Sequence, residues 1–599
     1  MNPLSADERT TGTNNYYEAV GFTRREFLQG VVGAGAVSGG GLGAMYFGYQ
    51  KIKDPVRVGI IGTGDEGNVL IGGCTPDYVQ VVAIAEIRPY SIYRAFHGDA
   101  TAAAARPGLI RQYKYSSEAE ATKAVKVYDS KNGGIQALLD DKSIEAVIIA
   151  LPLHLHAPIA VQAMMRGKHV LTEKLMAHNV AQCKVMARVA ASKSDPNGNP
   201  IHCATGHQRH YSVLYDNAVH LLRWGMLGQL HHIRAQWHRG NLPGRDSWQP
   251  PLPTEPTADG KPSSVVTDLA KFEKELLTAS PAEKDAMIRK IAQWKAWLED
   301  KVDAAKFGYI ERQMGDRMRS AMEELVRWRI FDRTGGGLMA ELGSHQLDAA
   351  TIFCSALRSD GKKAHPLTVH AVGGRHIFPN DRDADDHVYC SFEFPGPEYD
   401  EKFDAGYRIP NVKKILGYPE DPNKKIVVTY SSINGNGFGG YGEVVMGTKG
   451  TMVIDKEQEV MLYAGSDTSA SAGVKANKGG YALDTQASGG AAAPIAKAAS
   501  AAGPVSRGYT EEIEHWAYCI RNPDPANRPK CYPEVAMADA VIALTTNVAM
   551  KRGMRGEAGY VKFDESWFDV KSEDTPDGSN VAEESKMLEN YTIHGGSTA

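Results

Sequence analysis

The stretch Val56-Arg-Val-Gly-Ile-Ile61, followed at once by Gly62-Thr63-Gly64-Asp65-Glu66-Gly67, constrains this chain more than any other. A short run dominated by β-branched apolar side chains reads as a buried strand, and the glycine-rich run reads as a tight turn opening a helix. The three glycines allow a sharp turn, a stretch of backbone with no side chain in the way, and close contact between helix and strand. A helix N-terminus approached over such backbone binds anions, so the pattern fits the pyrophosphate of a dinucleotide. Val79 to Ala85 reads as the second strand and ends at Glu86, placed to accept hydrogen bonds from a ribose. Gly62, Thr63, Gly64, Glu66, Gly67 and Glu86 are therefore expected to bind the cofactor. Glu86 favours NAD, while Arg88, two residues on, could attract a 2′-phosphate and leaves NADP open.

Ahead of that fingerprint, Thr23-Arg24-Arg25-Glu26-Phe27-Leu28 opens a Gly/Ala/Val-rich apolar stretch ending near Tyr49, the pattern of a twin-arginine export signal. Residues 1–50 are read as that signal, the export machinery as a partner, and the destination as periplasmic or otherwise extracytoplasmic. Ala34-Gly35-Ala36 has the form of a cleavage site but comes early, which keeps an uncleaved membrane anchor as the alternative. Soluble dinucleotide is scarce outside the cytoplasm, so a tightly held cofactor is expected.

From Val56 onward apolar runs alternate with helical stretches, the requirement of a parallel sheet. Ala146 to Leu151, His169 to Thr172 and Ile201 to Thr205 are further strands, giving a dinucleotide-binding Rossmann domain over residues 55–200. Longer alternating runs at 367–377, 387–395, 425–433 and 442–465 suit an antiparallel sheet with one covered face. The fold class is thus α/β, with an N-terminal Rossmann domain and a C-terminal α+β domain, residues 201–570, on a mostly antiparallel open sheet. At 599 residues and 42% hydrophobic content the chain has enough apolar material for both.

Two insertions interrupt the second domain. Residues 241–333 hold a Pro-rich loop and a helical pair, the first helix opened by the capping box Ser280-Pro281-Ala282-Glu283 and the second carrying a stripe at Ile310, Met314, Met318, Leu325 and Trp328. The pair reads as packed on itself and on the body, with a lid or a homo-oligomer contact as the alternative. Residues 466–505, rich in Ala, Gly and Ser, read as a mobile loop, and the tail 571–599 reads likewise.

A net charge of -4 speaks against nucleic acid as a partner. Seven cysteines with no Cys-x-x-Cys indicate neither a zinc ribbon nor a disulfide framework, and His154-x-His156 and His231-His232 are too sparse for a metal site, so none is expected.

Two further segments carry chemistry. Glu173 and Lys174 end a parallel strand, where open sheets place their ligands, and the lysine could hold a substrate hydroxyl beside a nicotinamide. Downstream, Gly335-Gly336-Gly337 precedes Glu341 and His345, four residues apart on one helix face, where a carboxylate could orient an imidazole for taking a hydroxyl proton.

Ala150-Leu-Pro-Leu-His154-Leu-His156 with Gly167-Lys168-His169-Val and Glu173-Lys174 closely resembles the glucose-fructose oxidoreductase and inositol dehydrogenase family (Gfo/Idh/MocA), and the resemblance covers most of residues 56–570 outside the insertions. It implies a catalytic Lys174 supported by Glu173, which also serves the nicotinamide ribose. Pro152 lies in the family's turn and His156 at the family's histidine position, at the cofactor or at the start of a helix. His345 becomes the general acid/base, Glu341 takes the family's aspartate position, and Arg209 and Tyr211 lie in a segment facing the cleft, where they could bind a polyhydroxylated substrate. The chain departs from the family at Leu175, which replaces a proline, and at Glu341, one methylene longer than aspartate.

The resulting expectation is an NAD(P)-dependent oxidoreductase acting on a secondary hydroxyl of a sugar, glycoside or cyclitol. Two alternatives stand beside it: an NAD-dependent glycoside hydrolase or lyase working by oxidation, elimination and reduction, and a non-catalytic sugar-binding protein.

Overall fold

The computed structural model describes residues 4–20, 47–256, 260–401, 422–464, 473–477, 480–484 and 507–594. Arg24, Arg25, the Ala34-Gly35-Ala36 segment and most of the loop 466–505 lie outside the described residues. Helix α1 (Ala6–Val20) precedes them and docks on the second domain, where Arg9 pairs with Asp455 at 2.8 Å and Asn15 donates to the Leu462 carbonyl at 2.8 Å.

The first sheet contains β1 (Val56–Ile61), β2 (Val79–Ala85), β3 (Lys126–Tyr128), β4 (Ala146–Ile149), β5 (His169–Glu173) and β6 (Cys203–Gly206), all parallel in the order β3-β2-β1-β4-β5-β6. Helices on both faces bury it, and β4 is accordingly apolar at every position. The order reverses between β1 and β4, where a doubly wound sheet opens a ligand crevice beyond its strand ends. Helices α2 (Asp65–Gly73), α3 (Pro89–His97), α4 (His156–Met165) and α5 (Val180–Ser192) flank it.

The second sheet begins with β7 (Leu230–His238). The insertion follows, with α6 (Ser264–Leu276), α7 (Pro281–Leu298) and a small hairpin, β8 (Arg312–Met314) with β9 (Arg317–Arg319). Helix α8 (Ser344–Ala356) leads into β10 (Thr368–Gly374), β11 (His387–Pro395), β12 (Lys425–Ile433), β13 (Tyr441–Gly447), β14 (Gly450–Asp455) and β15 (Glu459–Ala464). A separate pair, β16 (Gly473–Asn477) and β17 (Gly480–Asp484), precedes α9 (Tyr509–Arg521), α10 (Pro533–Met554), β18 (Tyr560–Lys562) and α11 (Val581–Glu589). The large sheet runs β15-β14-β13-β7-β12-β11-β10-β18, antiparallel except for the β7–β12 pair. Strict alternation of burial along β12 puts one face against α8 and leaves the other half-buried, while α10 packs on β10. Helix α9 returns to the first domain, burying Ile513, Trp516 and Ala517 among β1 and β2 side chains. Among the described residues no helix is long and apolar enough to cross a membrane.

Three expectations are corrected. The boundary expected between residues 200 and 201 falls later, because β6 pairs with β5 as the edge strand of the first sheet. The stripe at Ile310, Met314, Met318, Leu325 and Trp328 is not one helix. Gly315, at φ 60°, reverses the chain between β8 and β9, and only a short helix, Ala321–Val326, follows, so Ile310 and Met318 stay exposed. The partner of α7 is instead α6, and Leu269, Phe272 and Ile291 meet between them, with the Ser280/Glu283 capping box in place. The tail, read as mobile over 571–599, is folded through residue 594. Buried Lys184 on α5 donates to the carbonyls of Ser566, Ser572 and Asp574 at 2.9, 3.1 and 2.8 Å, and α11 packs on α4 and α5 with Leu588 fully buried.

Candidate functional site

A cavity of about 640 Å³ opens beyond the C-terminal ends of the first sheet and reaches the second domain. Of the residues singled out in the sequence, Gly62, Gly64, Glu66, Glu86, Arg88, Pro152, His156, Glu173, Lys174, Glu341 and His345 line it. Thr63, Gly67, Arg209 and Tyr211 do not.

The glycine turn divides by role. Gly62 has φ +86°, and a Cβ there would lie 2.4 Å from the Ala150 carbonyl oxygen. A Cβ on Gly67 would lie 2.2 Å from the Gly62 carbonyl oxygen, so this glycine serves helix–strand packing. A Cβ on Gly64 would meet nothing within 4 Å. The fold does not require that glycine, and the absent side chain leaves room at the helix N-terminus for a phosphate group. Thr63 helps shape the ribose end: its N–H donates to Glu86 Oε2 at 2.8 Å, while Glu86 Oε1 accepts from the N–H groups of Ile87 and Arg88 at 2.9 Å. Burial raises the Glu86 pKa against the pull of these donors. Asp65 at the start of α2 keeps an exposed side chain, and against desolvation by its surroundings Arg94 and Arg106 hold its pKa at about 2. These features fit a dinucleotide.

At the other end the two domains meet. Lys174 Nζ donates to the Glu341 carbonyl at 2.5 Å and lies 3.6 Å from Glu341 Oε2. Glu341 sits in a single π-helical turn, Met339–Gly343, just before α8. Its carboxylate accepts from Arg329 Nε at 2.6 Å, and although burial pushes its pKa up, Arg329, Lys174 and Arg239 hold it at about 2. The expected Glu341–His345 pairing is therefore corrected: the carboxylate turns to Arg329 and Lys174, as two cations outcompete a neutral ring. The His345 Nδ1 has no protein partner, and burial, followed by the charges of Lys174 and Arg209, holds its pKa well below 6.5. It is a neutral imidazole that lines the cavity, with its Nδ1 buried and without a protein partner. The Trp237 ring lies 5.4 Å from it.

Glu173 keeps Oε1 unpaired, and burial together with repulsion from Glu66 raises its pKa to about 8. Both His156 nitrogens contact backbone oxygens, Leu175 at 2.8 Å and Leu151 at 2.8 Å, so this ring ties the loops after β4 and β5 together beside the cavity. The Lys174–Leu175 peptide is cis.

Arg209 and Tyr211 are corrected as substrate contacts, since both are about 1% exposed. Arg209 pairs with Glu457 at 2.6 Å and donates to the His345 carbonyl, bracing the helix from behind. Tyr211 bonds His515 Nδ1 at 2.8 Å and accepts from Lys530 N at 2.7 Å. Sequence reasoning gave no role to Trp237, Arg239, Arg329, Arg507 or Tyr509, which line the cavity instead. Arg329 could have been found from its place between Trp328 and the Gly335 turn.

No metal site was expected, yet His210, Asp348 and Asp539 come close enough to share an ion, as do His207, Cys531 and Asp539. Lys363 already supplies a positive charge there, 3.0 Å from Asp348 and 2.6 Å from Asp539.

Residues 56–196 match the model of the GFO_IDH_MocA oxidoreductase family, NAD-binding Rossmann fold. A "Glycosyl hydrolase family 109 protein" of Stenotrophomonas maltophilia (strain K279a) is 30% identical over 188 residues, 30% of this chain and 35% of the relative. An uncharacterized oxidoreductase of Rhizobium meliloti is 31% identical over 191 residues, 32% of this chain and 47% of the relative. The chain thus spans less than half the length of these relatives. Among solved structures, an aldose-aldose oxidoreductase from Caulobacter crescentus complexed with glycerol superposes with TM-score 0.45 at 15% identity, covering 85% of this chain and 100% of the other. A levoglucosan dehydrogenase in complex with NADH and L-sorbose gives 0.46 at 16% identity, covering 85% and 99%. The first domain is thus similar, over residues 56–196, to the NAD-binding Rossmann domain of that oxidoreductase family.

Proposed function

We propose that the protein oxidises a secondary hydroxyl of a sugar, glycoside or cyclitol, with NAD held in the cavity. The observation that carries this is the convergence of Lys174 from the first domain and a neutral His345 from the second on the wall that also contains Gly64 and Glu86. Gly64 and the N-terminus of α2 would hold the pyrophosphate and Glu86 the adenosine ribose. Bound NAD supplies the hydride acceptor. His345, a neutral ring lining the cavity, takes the hydroxyl proton. Lys174, freed from the Glu341 carbonyl, steadies charge on the substrate oxygen. Glu341, pinned by Arg329, stays ionised and keeps Lys174 aimed into the cleft.

A second reading, redox-assisted cleavage of a glycoside, is supported by the similarity to the Stenotrophomonas "Glycosyl hydrolase family 109 protein". The same His345 and Lys174 would serve a transient oxidation whose hydride is returned after elimination. The twin-arginine pair at Arg24 and Arg25 supports export from the cytoplasm, with the cofactor carried along. A panel of pyranosides and cyclitols, followed for reduced cofactor and for released aglycone, tests the proposal. Accumulating reduced cofactor supports net oxidation, aglycone without it supports cleavage, and neither, in a protein that binds NAD, leaves a binding protein.

A further inference from the structure

The ribose end of the cavity contains a charge arrangement that the first domain does not build alone. Arg88 follows β2 by three residues, where an arginine would accommodate the 2′-phosphate of NADP. Here its guanidinium is committed elsewhere. Nε and Nη2 donate to Oδ2 of Asp300 at 2.8 and 2.7 Å. Asp300 lies just beyond the end of α7, its side chain wholly buried, and its other oxygen is 3.4 Å from the Tyr90 N–H at the start of α3. The insertion is fixed there by two further contacts. Trp297 stacks on the Tyr90 ring at 4.6 Å and 10°, and Gln293 donates to the Tyr90 hydroxyl at 3.1 Å.

We infer that the insertion selects the cofactor: Asp300 occupies the guanidinium of Arg88, as Asp65 and Asp99 occupy that of Arg94, and with Glu86 nearby the ribose end favours a dinucleotide lacking the 2′-phosphate and rejects the phosphorylated one. The argument rests on the dinucleotide reading of the cavity. A 2′-phosphate would have to take Arg88 from Asp300 and leave a buried carboxylate uncompensated, while also approaching Glu86. A ribose hydroxyl does neither, since it can donate to Glu86 with the Arg88–Asp300 pair intact.

Binding of NAD and of NADP to the purified protein, stripped of any resident cofactor and followed by calorimetry, tests this in four forms: parent, Asp300→Ala, Arg88→Ala and the double variant. The parent should prefer NAD. Asp300→Ala should tighten NADP by at least about tenfold, the scale of a charge-assisted contact to phosphate, and change NAD by less than about threefold. The double variant should lose the gain. Arg88→Ala alone should leave NADP as weak as in the parent. Tight NADP binding by the parent that Arg88→Ala abolishes would overturn the inference, and needs no Asp300 variant to fold. A folded Asp300→Ala protein with unchanged preference would overturn it too. Failure of the parent to bind either dinucleotide would instead sink the cofactor reading beneath it.

Discussion

The two ends of the cavity meet their ligand with opposite charge logic. At the domain junction, one carboxylate, Glu341, is shared by Arg329 and Lys174, and the neighbouring His345 is left neutral and unpaired at Nδ1. At the ribose end Arg88 is consumed by Asp300, and the backbone N–H groups of Thr63, Ile87 and Arg88 satisfy Glu86. The first arrangement keeps a proton acceptor ready; the second keeps a shape and a sign of charge fixed. The residues that would react come from segments common to the two-domain body, whereas the selective pair needs the insertion. The reacting groups and the selective pair therefore come from different parts of the chain, with Arg329 at the end of the insertion positioning Glu341, and substitutions at Lys174 or His345 and at Asp300 should separate the two.

The largest effect is expected at the junction. Lys174→Ala and His345→Ala should each lower turnover by about two to four orders of magnitude with NAD affinity retained, the range for positioned acid/base groups. Steady-state rates beside direct NAD binding check this, and a variant that loses both together would place its residue in cofactor binding.

The glycine turn sharpens the contrast between fold and ligand. Gly67→Ala, whose Cβ would strike backbone, should lower both thermal stability and NAD affinity. Gly64→Val meets open space, so it should weaken NAD by about tenfold or more while thermal unfolding stays near the parent. Equal damage to stability by both would show that Gly64 serves the fold as well.

The glycine turn was legible in sequence because local chemistry sets it: a strand, three glycines and a helix are contiguous. Lys174, His345 and the alternating strands were legible for the same reason. What was not legible depends on contacts distant in sequence. Arg209 and Tyr211 were expected in the cleft, yet Glu457 and Lys530 fix them beneath it. Glu341 was expected beside His345 by helical spacing, and Arg329 turned it away. The central strand β7 was hidden because His231 and His232 interrupt its start and leave only the short alternation Ile233, Ala235, Trp237. Asp300 gave no signal, since nothing in its own segment shows Arg88 beside it.

A smaller effect is expected behind the sheet, where the tail is held. Lys184→Met removes three donors to backbone carbonyls and should cost about 1–3 kcal/mol, with the tail becoming sensitive to protease before the body unfolds. Thermal melts and limited proteolysis read both, and an unchanged digestion pattern would show that α11 alone anchors the tail.

The smallest effect concerns pH. The folded-state pKa of His345 lies well below the unfolded value of 6.5, so below that pH the unfolded chain binds the additional proton and stability falls. His345→Asn removes that loss. Relative to this variant, the parent should lose up to about 1.4 kcal/mol for each pH unit below the unfolded value, and nothing well above it. Denaturant melts of both proteins on either side of that pH check the sign, and a parent that gains stability on acidification would mean that the ring is charged in the folded protein.

Hydride exchange at the junction is tested most directly with a sugar deuterated at the carbon bearing the reactive hydroxyl, incubated with the NAD-loaded protein, and mass analysis of the cofactor afterwards. Parent protein should move deuterium onto the nicotinamide with at least one member of a pyranoside and cyclitol panel, where it stays after net oxidation and, if cleavage returns the deuteride, is found only in samples quenched within a single turnover, and Lys174→Ala should suppress it. NAD bound stoichiometrically with no deuterium transferred from any sugar in the panel would contradict hydride exchange.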